Sequence, residues 1–325
     1  MITSIQISTG SAAALGLAGY RISTLPTTAY FFLMGEGCRG KCLFCPQSSK
    51  LDARANTVSR VEWPTYDVSS VLNGLSKSGG IKRACIQCSD EPKIAVRAVE
   101  LVRGLKGVRD IPISVSIPPI PIEDIESLKG GGVERITIPL DCSNERLIQT
   151  IKGKSMDDLL RSLSDAVDVF GRGKVGTHII AGLGETEREV VMLIDGLFTM
   201  GILPSLFAFF PVIGTALGGR APPSIESYRR LQIARFLVVE RGLHSESFEF
   251  DQLGNIAKIH VPSEEIKEIV QRGEAFMVAG CPGCNRPYFN ERVRGPIYNY
   301  PRPLEDADVM RVEGEINGSF ACSGV

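Results

Sequence analysis

Residues 35–47 read GEGCRGKCLFCPQ and follow directly on an apolar run, Ala29–Met34. Cys38, Cys42 and Cys45 stand at the spacing C-x-x-x-C-x-x-C. Thiolates this close along a chain reach three corners of one cubane iron–sulfur cluster. Three ligands for four irons leave one iron open, which a catalytic centre needs and a structural one avoids. Gly37 and Gly40 let the short loop wrap tightly. The competing reading is a zinc knuckle or buried thiols. Zinc usually takes four ligands in paired C-x-x-C spacing, and His178, His244 and His260 are all remote in sequence.

Outward from this loop the chain repeats one pattern: an apolar run, a loop, an amphipathic segment. The further runs are Ala84–Cys88, Ile113–Ile117, Arg135–Leu140, Val175–Ala181 and Leu206–Val212. Rich in Ile, Val and Phe and poor in charge, they read as strands buried on both faces of a parallel sheet. The helices between them have readable ends. Ser155 caps a helix whose Met156, Leu159, Leu160, Leu163, Val167 and Phe170 keep the helical period up to Gly171; Thr186-x-x-Glu189 is a capping box; Ser224 opens a helix that stops at Gly242. Six strand–helix units predict an α/β fold, a partial (β/α)6 barrel short of the full eight units, with its chemistry at the C-terminal strand ends.

The expected organisation is an N-terminal extension (1–24), the barrel (25–242) and a C-terminal extension (243–325). In the last part, Phe248–Asp251 and Ala257–Val261 predict a hairpin and Ser263–Arg272 a short helix. The final 45 residues read as irregular, held by something other than a core. The 36 basic and 37 acidic residues nearly cancel, which argues against a non-specific nucleic-acid binder. No apolar run approaches the ~20 residues of a membrane span, and no basic segment precedes Gly10–Gly19 as in a secretory signal. The expectation is a cytoplasmic protein whose nine cysteines stay reduced.

The cysteine loop, with Phe44 before its last cysteine, resembles that of the radical S-adenosylmethionine (SAM) enzymes over residues 25–220. The resemblance implies a [4Fe–4S] cluster on Cys38, Cys42 and Cys45 whose open iron chelates SAM. Ile180-x-Gly182-x-x-Glu185 resembles the family's fifth-strand motif near adenine, although His178 stands where the family often has glycine. Asp141 is a candidate ribose acceptor, or else a turn residue. Ser89 and Asp90, in CSDEP, stand where the family often has Gly-Gly-Glu for the SAM amine. Pro211, near the end of the sixth run, completes the candidate SAM contacts. Cys85 and Cys88, three apart in one strand, point to opposite faces and read as inert thiols, as does Cys142.

The tail holds a second set, Cys281-x-x-Cys284 and Cys322, with Ser323 or Ser319 as a possible fourth ligand. Zinc is the competing occupant. Arg286, Arg292, Arg294 and Arg302 surround it as a recognition surface or lid. CPGCNRPYFNER and GPIYNYPRPL, with the early PTTAYFFLMGEGCRGKCLFCPQ, resemble one subunit of the archaeal-type two-protein lipoyl synthase, a family itself similar to biotin synthase. That implies two [4Fe–4S] clusters and SAM, with sulfur from the auxiliary cluster inserted at C6 or C8 of a protein-bound octanoyl-lysine. The implied partners are an octanoylated lipoyl carrier domain or glycine cleavage H protein, a second radical SAM subunit, and an electron donor such as ferredoxin. The alternatives are another biotin-synthase-like radical SAM enzyme, a methylase or cofactor-assembly enzyme with a relaying or substrate-binding second cluster, and a non-catalytic iron–sulfur or zinc module.

Overall fold

The computed structural model describes residues 2–35, 37–48, 57–292 and 294–323. Its strands are β1 (Ser4–Ile7), β2 (Thr28–Leu33), β3 (Thr57–Val58), β4 (Val61–Glu62), β5 (Thr65–Asp67), β6 (Arg83–Cys88), β7 (Ile113–Ser116), β8 (Arg135–Thr137), β9 (Val175–Ala181), β10 (Ile202–Ala208), β11 (Phe248–Phe250), β12 (Ile256–Pro262) and β13 (Ala321–Ser323). The main sheet runs β10-β9-β8-β7-β6-β2-β1-β5. From β2 to β10 the six strands are parallel, and β1 pairs antiparallel with β2 on one side and β5 on the other. This is the expected partial barrel, extended by residues before position 25 that enter the same sheet.

Helices cover the outer face. Ser155 accepts from the Asp158 N–H, Thr186 and Glu189 form the capping box, and Ser224 caps the helix Ile225–Arg241. The sixth strand begins earlier than its apolar run suggests, at Ile202, because it pairs in register with β9 from Ile202↔Val175 to Ala208↔Ala181. Pro204 and Ser205 disguise that half in the sequence.

Side chains alternate across each strand. Ala84 and Ile86 face the helices in the large core, while Cys85 and Gln87 face the barrel interior. On β2, Ala29, Phe31 and Leu33 join the large core, and Tyr30 and Phe32 turn inward to meet Trp63 and Phe289.

The tail departs from the irregular expectation. The hairpin β11–β12 and the helix Ser263–Arg272 form as read, but a further helix, Asp306–Ile316, follows, and β13 adds parallel to β12. The tail is held by a core, and Arg229 is its centre. This fully buried guanidinium donates to Glu315 (2.7 Å), to Gln232 (2.7 Å), and to the carbonyls of Ile297 (2.6 Å) and Tyr298 (2.7 Å). Beyond this anchor, residues 284–290 lie against the open side of the barrel. Arg286 N–H donates to Tyr30 Oη on β2, Asn290 reaches the carbonyl of Ala208 on β10, and Phe289 stacks on Tyr30 and Trp63. A buried cation tied to four acceptors leaves them unsatisfied when removed. Arg229→Met is therefore expected to cost about 3–5 kcal/mol in urea unfolding, with early proteolysis within residues 277–303.

Candidate active site

The loop after β2 is pinned from several sides. Arg39 N–H donates to the Asp90 carbonyl (2.7 Å) and Leu43 N–H to that of Ile151 (2.9 Å), while Leu217 N–H donates to the Leu43 carbonyl (3.2 Å). These anchors bring Cys38, Cys42 and Cys45 near one another. Two backbone N–H groups, of Gly40 (3.3 Å) and Asp90 (3.4 Å), point at Cys38 Sγ. A Cβ at Gly40 would sit 3.1 Å from Cys38 Sγ and 4.0 Å from Cys42 Sγ, so the cradle needs glycine. Burial pushes the Cys42 thiol up to about 11 and Cys45 to about 12, so both keep their protons at neutral pH until a metal replaces them. Among the described residues, no three Cys, His, Asp or Glu side chains converge as they do about a single metal ion. Thiolates at separate corners of a cubane need not converge, and N–H groups directed at sulfur suit such a cluster. The donor set fits.

Around this loop lie the other candidate residues. Asp141 takes a positive φ (66°), and its carboxylate is held by the buried Lys152 at 2.7 Å. Lys152 ends a π-helical turn, Ile148–Lys152, a distortion that recurs at functional sites. Asp90 pairs with Lys154 (3.2 Å) and Arg39 (3.3 Å) at the edge of the loop. Ser89 is buried with its hydroxyl on the Leu33 carbonyl (3.3 Å). Glu185 turns back on its own loop and accepts from Gly182 N–H and Leu183 N–H (2.9 Å). Gly182 has φ +104°, and a Cβ there would meet Pro223 Cδ at 2.7 Å. Phe44 and Ile180 line the central cavity, as do Phe210 and Val212 on either side of Pro211.

That cavity, about 220 Å³, runs through the barrel from Phe44, Cys45 and Asp141 at one end to Cys281 and Cys284 at the other. Its lining is largely apolar (Val58, Phe207, Phe209, Phe289) and interspersed with Gln87, Ser116, Thr137 and Ser205. The Cys281–Cys284 turn closes the N-terminal ends of the strands: Arg83, which begins β6, donates to the Pro282 carbonyl (3.2 Å), and Thr27, just before β2, bonds the Gly283 carbonyl (2.5 Å).

The third thiol at this end is Cys85. It is pushed well up by burial and then by the charges of Cys281 and Cys284. Cys322 is elsewhere, on β13 opposite Ile259 and beside Glu264, because the parallel pairing with β12 carries it outside the barrel. Ser323 shares that strand, opposite Pro262, and its side chain lies outside the described residues. Ser319 keeps a buried hydroxyl with no partner.

Two hydroxyls lie within hydrogen-bond distance of the inner sulfurs. Tyr30 Oη, which accepts from Arg286 N–H (3.1 Å), is 3.1 Å from Cys284 Sγ. Ser114 Oγ, which accepts from Arg83 (2.6 Å), is 3.2 Å from Cys281 Sγ. Arg286 itself is nine-tenths buried, with its guanidinium 3.6 Å from the centroid of Phe207 and no ion pair among the described residues. Its charge acts on the buried Glu291 without a direct ion pair, and a partly compensated cation beside Cys281 and Cys284 suits an anionic occupant such as an iron–sulfur cluster. The alternating β6 pattern put Cys85 and Cys88 on opposite faces, and the structure turns Cys85 inward; the missing signal was the tail reaching the barrel floor.

His178 is a further residue of the interior, edge-on to Phe207 at 4.8 Å. Burial lowers its pKa to about 4, so it is neutral at physiological pH. Protonation then favours the unfolded chain, whose histidine titrates near 6.5, and stability is lost as pH falls from about 6.5 to 4. His178→Asn is expected to flatten this fall by at most about 3 kcal/mol, less where cavity water screens the ring, as read from denaturation midpoints across that window.

Residues 32–197, half of the chain, match the Radical SAM superfamily. The chain is 26% identical to the biotin synthase of Cytophaga hutchinsonii over 62% of its own length and 60% of that protein, and 24% identical to that of Acinetobacter calcoaceticus over 67% of each. It thus spans about 60% of the first of these relatives and two thirds of the second. Two solved structures share the fold: the FeFe-hydrogenase maturase HydG from Carboxydothermus hydrogenoformans (TM-score 0.54, 16% identity, 91% of this chain and 67% of that one) and methylornithine synthase (TM-score 0.52, 17% identity, 70% and 68%). No described helix is long and apolar enough to cross a membrane. With its cysteine loop at the end of the first parallel strand of a partial barrel, the chain belongs to the radical SAM superfamily, and its similarity within it is a distant one to biotin synthase.

Proposed function

We propose that this chain is a biotin-synthase-like radical SAM enzyme that inserts sulfur at an unactivated carbon, the sulfur coming from an auxiliary cluster held by Cys85, Cys281 and Cys284. The observation that carries this is one cavity lined by Cys45 of the first cysteine set at one end and by Cys85, Cys281 and Cys284 at the other. On Cys38, Cys42 and Cys45 a [4Fe–4S] cluster would supply the electron that cleaves SAM into methionine and a 5′-deoxyadenosyl radical.

The remaining work falls to the protein. Gly40 and Asp90 N–H groups orient the Cys38 sulfur as a cluster ligand. Lys152 holds the Asp141 carboxylate at the cavity wall, where it can take a ribose hydroxyl. The phenylalanine walls keep water from a reactive carbon. Tyr30 and Ser114 hold the Cys284 and Cys281 sulfurs, and Arg286 would offset the charge of a cluster bound there. A largely apolar lining of Phe44, Val58, Ile180, Phe207, Phe209 and Phe289 favours an alkyl chain as substrate, and octanoyl-lysine on a carrier domain is the narrower reading. A methylase or cofactor-assembly role would use the same first triad and leave the second as a relay.

The test is anaerobic reconstitution, then dithionite, SAM and either an octanoyl-lysyl peptide or dethiobiotin, with products followed by mass. The proposal expects 5′-deoxyadenosine and a substrate heavier by one or two sulfurs. Formation of 5′-deoxyadenosine without any sulfur gain overturns sulfur insertion, and its absence overturns the radical mechanism. Cys85→Ala is expected to lower iron from about eight to about four per chain and to stop sulfur gain with SAM cleavage retained. Cys322→Ala is expected to keep both the iron and the product.

A further inference from the structure

A second cavity, about 210 Å³, lies beneath the barrel floor at the N-terminal ends of β8, β9 and β10, against the helix Ile225–Arg241. Its inner wall consists of Thr137, Ser205, Gly280 and Cys281, and these four residues also line the central cavity. Cys281 is therefore a partition between the two spaces, reached from below as well as from within.

The lower space is basic. Arg135, Lys174 and Arg235 line it, and Arg83 stands next to it. Their carboxylates are fewer: Glu134 is shared by Arg83 (2.9 Å), Lys174 (3.4 Å) and Arg135 (3.6 Å), and Glu240 serves Arg235 (3.6 Å). Four cations against two anions leave a positive excess, and the buried Nε of Arg135 has no hydrogen-bond partner. Such an opening concentrates small anions.

We infer that this vestibule is a separate entrance for small sulfur anions, hydrosulfide above all, to the triad Cys85, Cys281 and Cys284. The inference rests on the proposed auxiliary cluster. A sulfur source that is consumed has to be renewed, and the other end of the central cavity is where SAM and substrate bind. The lower space is too small for a carrier protein, so what passes is a small anion.

The test uses the purified metal-free chain and two alkylating probes, anionic iodoacetate and neutral iodoacetamide, with each cysteine followed by mass mapping. The expected iodoacetate preference at Cys281 exceeds that at Cys322 by about threefold, and Lys174→Glu abolishes it. Val239→Trp, which fills the vestibule, is expected to slow both probes at Cys281 about tenfold and to leave Cys38, Cys42 and Cys45 unchanged. Labelling of Cys281 that ignores both substitutions overturns the entrance. In reconstitution with ferrous iron and sulfide, Val239→Trp is expected to delay the second set of four irons and not the first. Should the unsubstituted chain stop at about four irons, the auxiliary cluster has failed, and the alkylation rates still judge the entrance by themselves.

Discussion

A parallel sheet of six strands cannot close on itself, and the side left open has to be filled by something other than a strand. Here the filling is the segment that carries Cys281, Cys284, Arg286 and Phe289. It is held at one end by the fully buried Arg229 and its four acceptors, and at the other by Tyr30, Trp63 and Ala208. The same contacts that close the barrel deliver two thiols to its interior. Folding of the tail and assembly of the second cysteine set are thus one event.

The consequence is a cavity with two chemically distinct ends. At the C-terminal strand ends the sulfurs belong to a single loop, and one of them receives two backbone N–H groups. At the opposite ends the sulfurs come from β6 and from the tail, and side-chain hydroxyls take over the role of the backbone. A strand of six residues spans roughly 20 Å, so a substrate between the ends sits within reach of both. The buried Arg286 and the neutral His178 lie along this path. One matches the charge of an anionic occupant, and the other presents a polar but uncharged edge to an otherwise apolar wall.

Much of this was legible in the residues, and the failures have physical causes. The cysteine loop, the capping of the helices at Ser155, Thr186 and Ser224, and five of the six parallel strands follow from local chemistry, which acts over a few residues. Cys85 was rightly placed opposite Cys88 on its strand, but whether the inward face is inert depends on what enters the barrel 196 positions later. Cys322 seemed a partner for Cys281 by proximity to the chain end, whereas β-pairing with Ile259 decides its place. The helix Asp306–Ile316 has a capping arrangement at Glu305 and Asp308 but little apolar surface, since its burial is concentrated on Asp308 and Val312.

The most direct measurement of the central claim is the iron-edge anomalous signal from crystals of the anaerobically reconstituted protein. The account predicts two iron clusters at opposite ends of one cavity, the first against Cys38, Cys42 and Cys45 and the second against Cys85, Cys281 and Cys284. Iron at the first position alone, or a second cluster bound through Cys322, would contradict it.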